Sequence, residues 1–306
     1  MQFSVYQQTH IGGRKVNQDR MGYSFTRDAL LLVLADGMGG HLHGEIAATI
    51  ALQTLSMMFR MQARPYVKKP ERFLEEALVQ AHWDILAYAE THKLPETPRT
   101  TVVACLVQHN CAVWSHCGDS RLYWVRRNQV LARTRDHSHL EVLIARGRAA
   151  EAQRNTHPDR NKLYNCLGAG QEPKIDISQQ ASLEPGDTLL LCSDGLWSML
   201  PETEIVHRLS TSTVVQAVPD LVNMAAAIGG ARADNTTALA IAWQGANAAT
   251  GPGVISTGML PENEVSSTVM DGEPLPAGVD AFDEDEIEKA IAEIRQAIEK
   301  SSQLLK

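Results

Sequence analysis

The stretch Leu30-Leu31-Leu32-Val33-Leu34-Ala35-Asp36-Gly37-Met38-Gly39-Gly40-His41 runs six apolar residues into a carboxylate, then sets three glycines among the next four positions. The apolar run predicts a buried strand. Asp-Gly is a common turn signal and glycine takes backbone angles that other residues avoid, so the loop by itself reads most simply as a tight turn. Its recurrence elsewhere changes that reading. Leu189-Leu190-Leu191-Cys192-Ser193-Asp194-Gly195 repeats the pattern of strand, Asp-Gly and departing chain. Ser115-His116-Cys117-Gly118-Asp119 also ends a strand-like run in an acid beside a glycine, Asp234 stands just before the apolar run Thr237 to Trp243, and Asp19 just ahead of Gly22 to Thr26.

Any one of these five acids could be a turn or a cap. Together they suggest convergence at one edge, where neighbouring carboxylates cannot all stay ionised without compensation. A hard divalent cation compensates them. An all-oxygen set, with no His or Cys at ligand spacing, points to Mg²⁺ or Mn²⁺ rather than zinc.

The surrounding pattern supports sheets that meet at such an edge. Short β-type runs come in adjacent groups, Phe3 to Gln7, Gly22 to Thr26 and Leu30 to Ala35, then Thr101 to Gln108, Ala112 to His116, Leu122 to Arg126 and Val130 to Arg133. Their connections are too short for crossover helices, which predicts antiparallel pairing. Helical patterns also pair, Glu45 to Arg60 with Glu71 to Thr91, and Glu202 to Leu209 with Thr213 to Ile228. Strand runs followed by helix runs predict an α+β layered fold.

Composition bounds the rest. The chain has 306 residues, 44% of them hydrophobic, enough for a substantial core. The N-terminus lacks a basic region followed by an apolar core, and the longest apolar run is far below a membrane span, so a cytoplasmic protein without membrane insertion is expected. Five scattered cysteines, none in a CxxC pair, read as reduced core thiols. The net charge of -8 lies beyond residue 245, where twelve acids face four bases; residues 1–245 are neutral, with no basic excess for nucleic acid.

Three regions depart from the regular pattern. Residues 138–170 are polar and weakly periodic, with one short helix around Leu140 to Arg146, and read as a flap. Residues 246–280, rich in Gly, Pro, Ala, Ser and Thr, read as a flexible linker, so the core is expected to end near residue 245. Residues 281–306 carry Ile287, Ile291, Ile294, Ile298 and Leu305 on one stripe, with acids first and lysines last, which predicts an acidic amphipathic helix. Such a stripe is suited to dock on the core, on a partner or on a second copy of the chain.

The segments GGRKVNQD, LADGMGGH, TTVVA, GDSRLYW, RDHS, CSDGLW and DNTTALA, spread in order over roughly residues 10 to 243, resemble those of the metal-dependent protein phosphatases, the type-2C or PPM class, and look like its bacterial members. The resemblance implies a four-layer α/β/β/α sandwich of two mainly antiparallel sheets flanked by helix pairs. It implies two Mn²⁺ or Mg²⁺ ions bridged by Asp36, one of them also held by the backbone carbonyl of Gly37, the other by Asp194 and Asp234. Asp19 would orient metal-bound water, Asp119 with Asp194 would hold a possible third ion, and Arg14 would bind the substrate phosphate. The substrates implied are proteins phosphorylated on serine or threonine, opposing a serine/threonine kinase.

Two positions depart from the family pattern. Gln18 stands where relatives often have a glutamate, and a neutral amide is a weaker ligand. Met38 replaces the histidine proposed as general acid in the animal enzymes, and methionine donates no proton. His41 and His43 read as surface or capping residues, and His137 in RDHS as structural. The competing functions are a phosphoprotein-binding pseudophosphatase scaffold and a small-molecule phosphatase.

Overall fold

Residues Ala29–Gly37 form a strand whose side chains face two different cores in alternation. Leu31, Val33 and Ala35 pack toward helices, whereas Leu30, Leu32 and Leu34 pack toward a second sheet. A strand buried on both faces needs apolar residues at every position, which is what its unbroken hydrophobic run supplies. The computed structural model describes residues 1–38, 43–150, 157, 159, 162–245, 254–258, 260–261 and 264–270.

In chain order the first strands are β1 (Gln2–His10), β2 (Asp19–Phe25) and β3 (Ala29–Gly37), followed by helices α1 (Gly44–Gln62) and α2 (Pro70–Thr91). Then come β4 (Thr100–Gln108), β5 (Cys111–Cys117), β6 (Arg121–Arg126), β7 (Gln129–Arg133), α3 (His139–Ala145), β8 (Asp176–Ile177), β9 (Ala181–Ser182) and β10 (Thr188–Cys192). The one-turn α4 (Asp194–Trp197) leads to α5 (Glu202–Thr211), α6 (Val214–Gly229), β11 (Thr236–Gly245), β12 (Val254–Ser256) and β13 (Ser266–Met270). One sheet has the order β12-β1-β11-β10-β6-β7; the other runs β13-β2-β3-β4-β5-β8, with β9 also on β5. Every pairing is antiparallel.

Three cores separate four layers. Helices α1 and α2 cover the second sheet through Leu52, Leu55, Phe59, Phe73 and Leu78. The sheets face each other across Phe3, Leu32, Val103, Leu191, Leu239 and Trp243. Helices α5 and α6 close the far side through Ile205, Leu209, Val218 and Leu221 against Leu190 and Ala240. This is the α+β, four-layer α/β/β/α sandwich expected from the sequence. The segment Val214–Arg232 is long and apolar enough to cross a membrane by composition alone, yet Ala217, Val218, Leu221, Val222 and Ala225 are buried against the sheet.

The region expected as a linker requires a correction. Within 246–280, β12 pairs with β1 and β13 with β2, each extending a sheet by one strand. The hydroxyl of buried Thr257 donates to the Arg27 carbonyl at 2.6 Å, and Ser24 and Ser267 hydroxyls meet at 2.8 Å. These strands are only three and five residues long. Their stability comes from the backbone groups of the edges they cover, a source that leaves no apolar period in the sequence. The two sheets therefore take in strands beyond residue 245, the last of them ending at Met270. The helix expected over 281–306 lies outside the described residues.

The expected flap, 138–170, includes α3, whose N-cap Ser138 accepts from the Glu141 N–H at 3.2 Å. Leu163 and Leu167 return the chain by bridging to Ser138 and Thr100.

Candidate active site

Asp19 opens β2 and Asp36 is the penultimate residue of β3, and the antiparallel register sets them directly opposite each other. Asp36 thus lies inside the strand rather than in the loop after it. Gly37 closes β3; its N–H donates to the Gln18 carbonyl at 3.1 Å, and a Cβ there would collide with the Gly44 backbone. Glycine is what lets the start of α1 abut the strand end.

The other sheet brings its acids to the same edge. The Ser193 hydroxyl donates to Asp19 Oδ2 at 2.8 Å while accepting the Thr237 N–H at 3.0 Å, tying β10 and β11 to β2. Asp194 follows Ser193 as the first residue of α4. Asp119 sits in the turn from β5 to β6, where the chain crosses between sheets. Asp234 precedes β11, and Arg14 reaches it with a 2.6 Å salt bridge.

Burial and mutual repulsion dominate the electrostatics. Burial first, then the charges of Asp19, Asp194, Asp119 and Asp234, hold the Asp36 carboxyl well above the usual carboxylate range. Asp194 is raised well above it by burial and by Asp119, Asp234 and Asp19. Burial pushes Asp19 up to about 6, against the opposing hydrogen bonds from Thr237 and Ser193. Burial and Asp136 push Asp119 up to about 7. Arg14 is raised mainly by its hydrogen bond to Asp234.

The donor set fits divalent cations. Asp19 Oδ1 is buried without a hydrogen-bond partner, a costly state for a carboxylate oxygen unless a positive group faces it. Asp36, Asp194 and Asp234 are each partly open to solvent, so an ion has access to them. All the sequence-expected site residues, Arg14, Asp19, Asp36, Gly37, Asp119, Asp194 and Asp234, come to this one edge.

The sequence reading missed the residues that hold the acids in place. Arg121, buried, makes two hydrogen bonds to Asp136 at 2.8 and 2.7 Å and lies 3.6 Å over the Trp197 ring. The Trp197 indole N–H in turn donates to the Asp119 carbonyl at 2.9 Å, linking α4 to the Asp119 turn. Asn235 staples the Arg14 loop: it accepts the Gln18 N–H at 2.8 Å and donates to the carbonyls of Ile11 and Val16 at 2.9 and 3.1 Å. These residues lie within GDSRLYW, RDHS, CSDGLW and DNTTALA, but a polar side chain's partners are set by the fold.

The departures also find places. The Gln18 amide donates to Glu45 Oε2 at 2.8 Å, which puts Glu45, in the first turn of α1, beside the strand-end acids. His43 caps nothing with its side chain and stands 3.6 Å from Glu45. His41 lies outside the described residues. The five cysteines are free, four of them buried.

Comparison with known proteins shows the family. The family model for protein phosphatase 2C matches residues 6–227. The serine/threonine phosphatase stp of Listeria monocytogenes is 31% identical over 231 residues, covering 74% of this chain and 90% of that protein. The crystal structure of the serine/threonine phosphatase Stp1 from Staphylococcus aureus superposes with a TM-score of 0.72 at 29% identity, over 79% of this chain and 95% of its own. The catalytic domain of PstP, solved with two manganese ions, gives a TM-score of 0.67 at 27% identity, over 79% and 98%. The chain belongs to the protein phosphatase 2C family and is a metal-dependent serine/threonine phosphatase.

Proposed function

We propose that this phosphatase removes phosphate from phosphoserine and phosphothreonine of proteins, in the cytoplasm and in opposition to a serine/threonine kinase, and that the converging carboxylates carry the reaction. Asp36 and the Gly37 carbonyl, with Asp194 and Asp234, would hold two Mn²⁺ or Mg²⁺ ions, and Asp119 a third. When bound, such a pair supplies an activated water near neutral pH and neutralises charge developing on the phosphoryl oxygens. The chain's own residues do the remaining work. Asp19, anchored by Ser193, is fixed to accept a hydrogen bond from the attacking water. Arg14 offers a planar fork to two phosphate oxygens, which a lysine could not match.

Arg14 spends its strongest contact on Asp234 in the structure. Its side chain is half exposed, so it is free to turn to an incoming phosphate once Asp234 has another positive partner. The reading rests on one observation above the others: Asp19 and Asp36, opposed on neighbouring strands, are both raised by burial and like charge.

The test is release of phosphate from a phosphothreonine peptide with Mn²⁺, with Mg²⁺ and with chelator, comparing wild type with Asp36→Asn. Metal-dependent release abolished by the substitution is expected. Release that persists in Asp36→Asn would remove the carboxylates from the chemistry, and no release by wild type would favour a phosphate-binding scaffold.

A further inference from the structure

His116, His137 and Asp176, none of them among the acids described above, each offer a ligand atom within 4.8 Å of the others. A transition-metal site is the first reading such a cluster invites. The hydrogen bonds around His137 exclude it. Nδ1 of His137 accepts the backbone N–H of Gly118 at 3.2 Å and faces the Asn165 amide nitrogen at 2.6 Å. The Asn165 amide is oriented by Lys174, whose N–H it accepts at 3.0 Å and whose carbonyl it donates to at 2.7 Å, so Nδ2 is the atom turned to the ring. With two donors on Nδ1, the ring's proton resides on Nε2, which is buried without a hydrogen-bond partner and has Asp176 Oδ2 3.3 Å away. A metal-binding histidine has the reverse arrangement, its bare nitrogen on the metal and its N–H donated elsewhere.

That same arrangement builds a clamp. The His137 backbone N–H donates to the Gly118 carbonyl at 2.9 Å while its Nδ1 accepts the Gly118 N–H, gripping both polar groups of one residue. Gly118 has φ +113, a conformation side chains rarely adopt, and a Cβ there would collide with Thr101. Asp119 is the next residue, its carbonyl held by Trp197 on the other side. His116 stacks on the His137 ring, with centroids 4.5 Å apart, and the ring is buried.

We propose that His137 is a positioning residue, held as the Nε2–H tautomer by the Gly118 and Asn165 donors on Nδ1 with Asp176 beside Nε2, and that it holds the Gly118–Asp119 turn so that Asp119 is set for its metal ion. The inference rests on the assignment of Asp119 to a third ion made above. It also gives Asn165, Lys174 and Asp176 a role, because the chain after α3 fixes the tautomer and thereby the turn.

The test uses the full chain with three readouts. Nitrogen-15 NMR of the metal-free imidazoles should show His137 as the Nε2–H tautomer at neutral pH, unchanged by stoichiometric Zn²⁺; an Nδ1–H tautomer, or a Zn²⁺-induced shift at Nε2, overturns the clamp. Amide exchange at Gly118 should accelerate in His137→Gln, whose amide lies one bond too far out, and stay slow in His137→Asn, whose oxygen can take the place of Nδ1. Mn²⁺ titration should show the weakest ion bound about 10- to 100-fold more weakly in His137→Gln and restored in His137→Asn, as for the loss of an outer partner of a metal ligand. Equal exchange in the two variants, or equal Mn²⁺ affinity, overturns the proposal. Asp119→Ala separates the two assignments: if it leaves the weakest Mn²⁺ site intact, the assignment of Asp119 and the metal half of this proposal both fall, whereas the exchange result reads the clamp by itself.

Discussion

Asp19 and Asp36 are cross-strand partners on β2 and β3, two acids directly opposed at the edge where both sheets end. Like charges so placed destabilise a sheet, a cost that a cation held there as proposed would offset. Asp36→Asn should therefore separate stability from binding. In chelator the variant is expected to equal or exceed wild type, by about 1 kcal/mol, the scale of a cross-strand pair. In Mn²⁺ the order should invert, since wild type gains about 2.7 kcal/mol at a hundredfold excess over Kd. Urea unfolding with and without metal checks both.

Arg14 already occupies Asp234, so if Asp234 holds a metal ion as proposed, the two compete for its carboxylate. Arg14→Ala should lower kcat/KM on a phosphopeptide by about 10- to 100-fold, as expected for losing a hydrogen bond to a charged group, while Mn²⁺ affinity stays the same or rises. Arg14→Lys should fall between, keeping charge without the fork. Steady-state kinetics combined with calorimetric Mn²⁺ titration separates the two effects.

Arg121 and Asp136 form a buried ion pair, with both side chains about 95% buried. Arg121→Met removes the guanidinium that compensates the buried Asp136 carboxylate and should destabilise the protein by about 3–5 kcal/mol. Replacing both, in Arg121→Met/Asp136→Leu, should recover part of that loss. Equilibrium denaturation of the single and double variants is the measurement.

Burial, then His116, lower the His137 imidazole to about 4. Lys174 also lowers it and Asp176 opposes them. The unfolded chain, with an ordinary value near 6.5, binds the proton first on acidification. His137 therefore contributes stability that is fully present above about pH 6.5 and lost as pH falls toward 4, on the order of 3 kcal/mol. The acids raised at the metal edge have the opposite sign, so the comparison must be with His137→Asn. Between pH 7 and 5 its unfolding free energy should fall less steeply than that of wild type.

A chain ending at Gly245 loses β12 and β13 and exposes the edges of β1 and β2. Its urea midpoint should drop relative to the full chain. A chain ending at Gly272, where the first unit closes, should keep both midpoint and phosphatase activity. An unchanged midpoint for the shorter chain would show that the two edge strands add nothing to the fold.

The nine strands and four long helices that the sequence predicts were legible chiefly through buried apolar faces, since burial writes a period into the residues themselves: alternation or continuity in Leu30 to Ala35 and Thr101 to Gln108, helical spacing in α1, α2 and α6. The acids at this edge were legible for a related reason, since each stands where an apolar run starts or stops, most abruptly at Asp36-Gly37 and Asp194-Gly195. β12 and β13 were not, because an edge strand of three to five residues takes its stability from backbone hydrogen bonds that any composition can supply. Nor could sequence alone oppose Asp19 to Asp36, pair Arg121 with Asp136, or aim Nδ1 of His137 at the Gly118 amide. Register and the meeting of two sheets decide those contacts, and a polar side chain's partner is whatever the folded backbone brings within hydrogen-bond reach.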